Sequence, residues 1–375
     1  MKTGWEIKKL TDVCSIQYGC PFDASLFSTS KTEGMPLIRI RDVKGGKTET
    51  YYTGSYTPEF IIHNGDYLIG MDGEFNIAPW QSEDALLNQR VCKIDSKSSD
   101  VTIQFVYRFL TKELKRIEDD TPFATVKHLS AKRLNQVHLS VPPLPEQERI
   151  VSELDLISGV IEKKKQQLKE LDSLAQSVFY EIFGNPVENE KGWDVKKLGE
   201  VGEIITGSTP STSDDTNWDG DINWITPAEI GNQLYYGETE RKITSKGAKS
   251  LTLMPIGTVL LSTRAPIGKL AITTVPMCCN QGFKNIICGN NLNNIFLYYY
   301  LMLTMDDIKA LGRGATFKEV SKKSISDYNV MTPPLSLQQE FASMIESIER
   351  QKELIKQSLK DTETLFNSRM DFYFN

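Results

Sequence analysis

The chain has 375 residues and a net charge of −6, and 39% of its residues are hydrophobic, which is ordinary for a globular protein of two or three domains. Its longest apolar run is too short to cross a bilayer, and its six cysteines lack Cys-x-x-Cys spacing. We therefore expect a cytoplasmic protein with no membrane segment and no bound metal. The acidic excess lies mainly in residues 146–190, so charge alone neither indicates nor excludes nucleic-acid binding.

Strand and helix patterns follow one another irregularly in the first 142 residues. Residues 36–43 alternate apolar and basic side chains, which predicts a strand with Arg39 and Arg41 on its polar face. The turn Asn64-Gly65-Asp66 leads into a predicted buried strand, and a helical pattern begins at Phe105. This mixture favours an α+β globular unit.

One long helix is predicted for residues 143–184. Its apolar residues recur at steps of three and four, as in a heptad seam, and Lys164 interrupts the seam. At 1.5 Å per residue, this helix would be roughly 57 Å long. Residues 334–375 repeat the pattern, which predicts that the two helices pair antiparallel with each other and do not cover a globular core. The predicted seam consists of Ile150, Leu154, Ile157, Ile161, Leu168 and Leu171 in the first helix and Phe341, Ile345, Ile348, Ile355 and Leu359 in the second.

The second half of the chain repeats the first. Gly192-Trp193 corresponds to Gly4-Trp5, and Asn280-Gln281 corresponds to Asn88-Gln89. Such long, slightly drifting offsets indicate a tandem duplication with changes in loop length. We predict two globular α/β-type domains in an α+β fold, joined and spaced by two long antiparallel coiled-coil helices with pseudo-twofold symmetry. The predicted limits are 1–142 and 191–333 for the globular domains, 143–184 and 334–375 for the helices, and 185–190 for the linker.

Sequence motifs for catalysis are not evident. We find no Gly-x-Gly-x-x-Gly, no Walker loop, no Gly-x-Ser-x-Gly and no cysteine–histidine pairing. Asp66, Asp72 and Glu74 could form a metal-dependent nuclease cluster, but the second half does not repeat these carboxylates. We therefore expect no catalytic residue in this chain.

The repeated motifs resemble those of one protein family. Gly-Trp-x-x-Lys-Lys-Leu occurs at residues 4–10 and 192–198, and Pro-Pro-Leu-x-x-Gln opens the helices at residues 142–147 and 333–338. Over essentially the whole chain, this pattern resembles the specificity subunit of type I restriction-modification systems.

The resemblance implies a non-catalytic, DNA-binding subunit with two target-recognition domains, each reading one half of an interrupted sequence in double-stranded DNA. It also implies that the helices act as a spacer and bind two DNA methyltransferase (modification) subunits, with restriction/translocase subunits joining the complex. S-adenosylmethionine, ATP and magnesium would then belong to those partners, and this chain would hold no cofactor. One alternative is a coiled-coil scaffold that binds proteins without DNA specificity, and another is a self-contained nuclease.

Candidate DNA contacts follow from residue type and location. Arginine can pair bidentately with guanine, which favours Arg39 and Arg41, although an ion pair with Asp42 is an equal alternative. Polar loops after strands and the Thr-x-Lys motifs before each Pro-Pro-Leu are candidates for phosphate contact. The full set is Arg39, Arg41, Gln81, Arg90, Thr125, Lys127, His128, Ser208, Thr209, Arg264, Arg313, Thr316 and Lys318. We interpret the repeated Asn-Gln pair as structural and residues 163–165 as a solvated helix face, with contact to the DNA spacer as the alternative.

Overall fold

The computed structural model describes residues 4–122, 126–264, 266–312 and 318–375. The chain forms two compact units, of which the first comprises Met1–Lys165 with Gln357–Asn375 and the second comprises Gln166–Lys356. Each unit holds one globular segment and part of each long helix. The predicted tandem α+β organisation is confirmed, while the limits of the individual domains stay a prediction.

The first unit combines short strands with a few helices. Its strands are β1 (Glu6–Lys9), β2 (Cys14–Tyr18), β3 (Phe27–Ser28), β4 (Met35–Ile38), β5 (Tyr51–Tyr52), β6 (Ile61–Ile62), β7 (Tyr67–Gly70), β8 (Asn76–Pro79), β9 (Ala85–Leu87), β10 (Val91–Ser96) and β11 (His138–Val141). Its helices are α1 (Leu10–Val13), α2 (Ile103–Asp119), α3 (Ala131–Asn135) and the beginning of α4 (Leu144–Phe183).

Two larger sheets organise this unit. One is antiparallel in the order β2-β10-β7-β8, and the other has the order β3-β5-β4-β9-β6 with β4 and β9 parallel. Thr102 caps the beginning of α2, because its hydroxyl accepts a hydrogen bond from the Phe105 backbone N–H at 3.3 Å. Its apolar side, which includes the buried Phe105 and Leu110, shares a core with Ile69 and Ile94 of the antiparallel sheet.

The second unit repeats this plan. Its strands are β12 (Val195–Lys197), β13 (Gly202–Thr206), β14 (Trp218–Ile225), β15 (Tyr235–Tyr236), β16 (Lys242–Ile243), β17 (Val259–Leu261), β18 (Leu270–Thr273), β19 (Met277–Cys279), β20 (Lys284–Cys288) and β21 (Asn329–Met331). Its helices are α5 (Leu198–Val201), α6 (Ser245–Ala248), α7 (Asn294–Leu303), α8 (Met305–Ala310), α9 (Lys322–Ser326) and the beginning of α10 (Leu335–Phe374). The sheet orders are β13-β20-β17-β18-β15 and β16-β14-β19, and β14 runs parallel to β19 as β4 does to β9.

The long helices α4 and α10 run antiparallel inside each unit. In the first unit Arg369 donates hydrogen bonds to Glu153, and Lys164 Nζ donates to Ser358 Oγ at 2.7 Å. The partner of a later residue on α4 therefore lies earlier on α10, as antiparallel pairing requires. No helix in the described part of the chain has the length and apolar character needed to cross a membrane.

The residues of the predicted seam are buried or half-buried, but the prediction that the long helices do not cover a globular core is wrong at the helix ends. Ile157, Leu168, Leu171, Ile355 and Leu359 are half-buried, and the other seam positions are buried. Near the helix ends, however, the seam residues join the globular cores. Ile150 and Leu154 belong to the cluster that contains Phe105, and Phe341 belongs to the cluster that contains Phe296. The helix ends thus bury apolar surface against globular segments as well as against each other.

A buried glutamine explains why Pro-Pro-Leu-x-x-Gln opens both long helices. Gln147 is fully buried; its Oε1 accepts a hydrogen bond from the Thr102 backbone N–H at 2.9 Å, and its Nε2 donates to the carbonyls of Asp100 and Pro142 at 2.7 and 2.8 Å. Because Thr102 caps α2, one side chain fixes the beginning of α4 against the beginning of α2.

The second unit has a buried glutamine at the equivalent position. Gln338, also fully buried, accepts from the Asn293 backbone N–H at 2.8 Å and donates to the carbonyls of Asn291 and Pro333 at 3.2 and 2.8 Å. Asn293 caps α7 with its own side chain. The duplicated motif therefore marks the joint between each globular segment and its long helix.

Candidate nucleic-acid interface

In the first unit, several predicted contact residues gather where the parallel strands β4 and β9 end. Leu37 pairs with Leu86 and Ile38 with Leu87, so both strands end at the same edge of the sheet. Arg39 follows β4 directly, and the segment 88–90 follows β9. Parallel strands bring the residues after their carboxyl ends together, which is a common location for binding sites.

The prediction that Arg39 and Arg41 lie on a strand is wrong, because β4 ends at Ile38. A 3-10 turn follows at Ile40–Asp42, since the Asp42 carboxylate accepts a hydrogen bond from the Arg39 backbone N–H at 2.8 Å. Both arginines are exposed, and Arg41 Nε lies 3.7 Å from Asp42, a weak surface ion pair. Within the described residues, Arg39 forms no ion pair, and its guanidinium lies 6.0 Å from the Phe27 ring centroid.

A rigid turn after β9 lies at the centre of this edge. The Val91 backbone N–H donates to the Asn88 carbonyl at 3.2 Å, and the buried Asn88 side chain accepts from the Gln89 N–H at 2.8 Å. Gly19 crosses this turn so closely that a Cβ there would lie 2.1 Å from the Asn88 carbonyl oxygen. The two residues of the Asn88-Gln89 pair, which was predicted to be structural, therefore differ. Asn88 is buried and stabilises the turn, whereas Gln89 is exposed.

The structure brings Arg90 and His128 together. Arg90 adopts φ 69, a left-handed conformation that costs most non-glycine residues roughly 1–2 kcal/mol. Its Nη1 lies 3.2 Å from His128 Nε2, and Asp72 contacts both side chains, at 3.5 Å from Arg90 Nε and 2.5 Å from His128 Nδ1. Lys127 Nζ donates instead to the Glu118 carbonyl at 2.5 Å. A strained backbone conformation at an arginine whose side chain contacts two neighbours favours a functional role for that arginine.

Gln81 lies against the loop that follows the turn at Ile40–Asp42, because the Gly46 N–H donates to the Asp42 carbonyl at 2.9 Å. It is exposed, and its backbone N–H donates to the Gly46 carbonyl at 3.2 Å. A Cβ at Gly46, where φ is 64, would lie 3.1 Å from the Gln81 side chain. Gln81 therefore packs against the basic loop that contains Lys44 and Lys47.

The second unit builds the same edge with other side chains. Ile225 pairs with Cys279, and the residues after these strands are Thr226 and Asn280. The Glu229 carboxylate accepts a hydrogen bond from the Thr226 backbone N–H at 2.8 Å, as the Asp42 carboxylate does from the Arg39 N–H in the first unit. The Asn280 side chain accepts from the Gly282 N–H at 2.9 Å, and Gln281 is exposed.

Ser208 and Thr209, both predicted contacts, lie against this second turn. The Ser208 N–H donates to the Cys279 carbonyl at 2.9 Å, and the Thr209 hydroxyl donates to Gln281 Oε1 at 2.6 Å. Gly207 makes the close approach here, because a Cβ would lie 2.1 Å from the Cys279 carbonyl oxygen. The structure therefore brings this predicted pair beside an exposed glutamine.

One charge beside the turn is reversed between the two units, because Asp72 of the first corresponds to Arg264 of the second. Asp72 bridges to His128 in the first, and Arg264 bridges to Glu319 in the second, with Arg264 Nη2 at 3.0 Å from Glu319 Oε2. The exposed Lys318 precedes Glu319 directly. The two units thus form the same bridge with different side chains.

Sequence reasoning missed Arg241. Its guanidinium lies 3.8 Å above the Trp218 ring centroid and 5.2 Å from that of Trp224, a cation–π arrangement. Arg241 is exposed, and among the described residues it has no acidic partner. The Trp224 indole donates to the Ser208 carbonyl at 3.1 Å, which places this cluster beside the turn. Because Arg241 is distant in sequence from Trp218 and Trp224, no local sequence motif identifies this cluster.

Three predicted contacts lie outside the described residues, namely Thr125, Arg313 and Thr316. The imagined nuclease carboxylates have separate partners: Asp66 contacts Lys93 at 2.8 Å, and Glu74 contacts Lys44 at 2.9 Å, while Asp72 contacts His128. No group of three or more potential metal ligands is found among the described residues. Whether the chain binds a metal stays a prediction.

Comparisons with known proteins agree with this duplicated architecture. The family described as "Type I restriction modification DNA specificity domain" matches residues 2–173 and again 190–363. The chain is 39% identical over 199 residues to the type I restriction enzyme EcoBI specificity subunit of Escherichia coli and 38% identical over 191 residues to the MjaIX specificity subunit of Methanocaldococcus jannaschii. These matches cover 52% and 49% of this chain but 42% and 44% of the relatives, so they span less than half of those proteins' length.

Two solved structures share the fold over almost the entire chain. The S subunit of a type I restriction-modification system from M. genitalium has a TM-score of 0.60 and 14% identity, covering 99% of this chain and 96% of that one. A chain from a structure on assembly and conformational transition of the type I R-M system has a TM-score of 0.60 and 20% identity, covering 100% and 98%. At this identity, the likeness establishes the fold alone.

Proposed function

The chain belongs to the type I restriction-modification DNA specificity family, and from this membership we propose that it reads a bipartite sequence in double-stranded DNA and directs partner enzyme subunits to it. Each unit would read one half of the target. The chain itself would contribute no catalytic residue, and methylation and cleavage would be carried out by its partners in the cytoplasm.

One observation carries this proposal. Both units place an exposed glutamine on a rigid turn at the carboxyl edge of a parallel strand pair, and the charged side chains around the two turns differ. A duplicated frame with different surface chemistry suits recognition of two unlike half-sites, because base contacts specify sequence while the frame only positions them.

The partners we propose are two DNA methyltransferase subunits, bound along the long helices, together with restriction/translocase subunits. S-adenosylmethionine, ATP and magnesium would be held by those subunits. Exposed leucines on the helices support a protein-binding role: Leu156 is 70% exposed and Leu354 is 73% exposed. Val160, one helical turn after Leu156, is 43% exposed, so these two side chains form a contiguous apolar patch on α4, as interaction sites do.

The test is a methylation map. The chain is expressed with the methyltransferase subunit of its own system in a host that lacks DNA methylation, and the methylated sequences are read genome-wide. We expect an interrupted, two-part motif that requires the chain. An active methyltransferase that yields no new motif with this chain, while it does so with another specificity subunit, would replace the proposal with a protein scaffold. Cleavage of DNA by the isolated chain in the presence of magnesium would favour a nuclease.

A further inference from the structure

Gln89 and Gln281 occupy the same place in the two units. Each is the first residue after an asparagine whose side chain accepts a backbone hydrogen bond, on the turn that follows the second strand of a parallel pair. Each turn is crossed by a glycine whose Cβ would lie 2.1 Å from a backbone oxygen of the turn segment. The backbone that carries both glutamines is thus held at fixed positions by main-chain packing.

The side chains of Gln89 and Gln281 form few hydrogen bonds within the chain. Within the described residues, the Gln89 amide forms no hydrogen bond, and that of Gln281 has one, accepted by Oε1 from Thr209. The adjacent asparagines hold the turns instead, through Asn88 Oδ1 and Asn280 Oδ1. An exposed glutamine that folding does not need is free to contact a ligand.

The surroundings of the two glutamines have diverged. Arg90 in the first unit stands where the second has Gly282, and His128 stands where the second has Glu319. A glutamine kept in both units, while Arg90 is replaced by Gly282 and His128 by the acidic Glu319, indicates a contact that the two units share. Glutamine can bind adenine through two hydrogen bonds in the major groove, accepting from N6 and donating to N7.

We propose that Gln89 and Gln281 each read an adenine, one in each half of the target, as matched specificity-determining residues. This inference rests on the proposed function and adds to it a base that both half-sites contain. In the second unit, Thr209 donates to Gln281 Oε1 at 2.6 Å, which orients the amide and leaves Nε2 available as the donor to adenine N7.

The decisive variants are Gln89→Ala and Gln281→Ala, each examined in the complete complex with the methyltransferase by methylation mapping. Gln89→Ala should relax the requirement for one A·T pair in one half-site, and Gln281→Ala should do the same in the other half-site. A bidentate base contact corresponds to roughly 5- to 150-fold discrimination, so methylation of the mismatched sites should rise by that order.

A charge-changing variant sharpens the test. A carboxylate can only accept hydrogen bonds and suits cytosine N4, so Gln89→Glu should shift the preferred base in that half-site from adenine toward cytosine. Gln136→Glu, at another exposed glutamine of the same unit, is the matched control for added negative charge and should leave the motif unchanged. Thermal unfolding should be the same in all variants, because each side chain is exposed.

The outcomes separate the two proposals. If the wild-type complex yields no bipartite motif, the proposed function fails. If it yields one, and either half-site lacks an A·T pair or both alanine variants leave the motif and its mismatch tolerance unchanged, the adenine inference is overturned while the function stands. Relaxation of one A·T position per variant, in different half-sites, is the result that supports it.

Discussion

Replacement of Gln147 by alanine should loosen the joint between α2 and α4 in the first unit. The amide forms one buried hydrogen bond, to the Pro142 carbonyl, and two partly buried ones, with the Thr102 N–H and the Asp100 carbonyl. A buried polar group that loses its partner costs about 1–3 kcal/mol, and a water molecule entering the vacated space would recover part of this. We therefore expect a loss of about 3 kcal/mol in the local stability of this joint.

Hydrogen exchange measures this loss directly, because it reports local opening without assuming that two units unfold together. In Gln147→Ala, amides near the beginning of α2 should exchange roughly 100-fold faster, since each 1.4 kcal/mol is a factor of ten. Peptides around Asn293 in the second unit should be unaffected. Gln338→Ala should give the reverse pattern, and Glu148→Ala, at an exposed neighbour, is the control. An acceleration of exchange below about fivefold in both glutamine variants would refute the claim that Gln147 and Gln338 stabilise these joints.

Three further perturbations test other parts of the structure. Gly159→Ala should stabilise α4 by about 1 kcal/mol in denaturant titration, because this helical glycine is exposed and a Cβ there meets nothing within 4 Å. Gly19→Ala should lower the melting temperature and weaken DNA binding together, because its Cβ would collide with the Asn88 carbonyl. Hydrogen bonds from Arg369 and Tyr373 lower the pKa of Glu153 from its ordinary value of 4.5. The ionised Glu153 therefore stabilises the fold above that pH, and this contribution is lost as the pH falls through the folded-state pKa. Acid titration should destabilise the wild type more than Glu153→Gln.

Periodicity and duplication predicted most of the fold. The three-and-four spacing located both long helices, because a seam that is buried on one side must repeat with the helical turn. Internal repetition then predicted two equivalent units. The role of Gln147 was not predictable, since two of its three hydrogen-bonding partners lie some 45 residues earlier in the chain. Sequence patterns record local periodicity and do not record which distant backbone group a buried amide satisfies.

The candidate interface was predicted only in part. Arg90, His128, Ser208, Thr209 and Arg264 do lie beside the two turns, because position after a strand is a local property. Arg39 was placed on a strand that ends one residue earlier, since a carboxylate three positions later turns the backbone. The Asn-Gln pair was interpreted as one structural unit, yet only its asparagines are structural. Which member of a pair faces solvent depends on a glycine about 70 residues away that packs against it.

The most direct test of the central claim is an exchange of one recognition unit. Residues 191–333 are replaced by the corresponding segment of a relative with a different target, and methylated motifs are compared in the same host with the same methyltransferase. We predict that one half of the motif changes to that of the relative while the other half stays the same. A change in both halves, or an unchanged motif from an active complex, would contradict the assignment of one half-site to each unit.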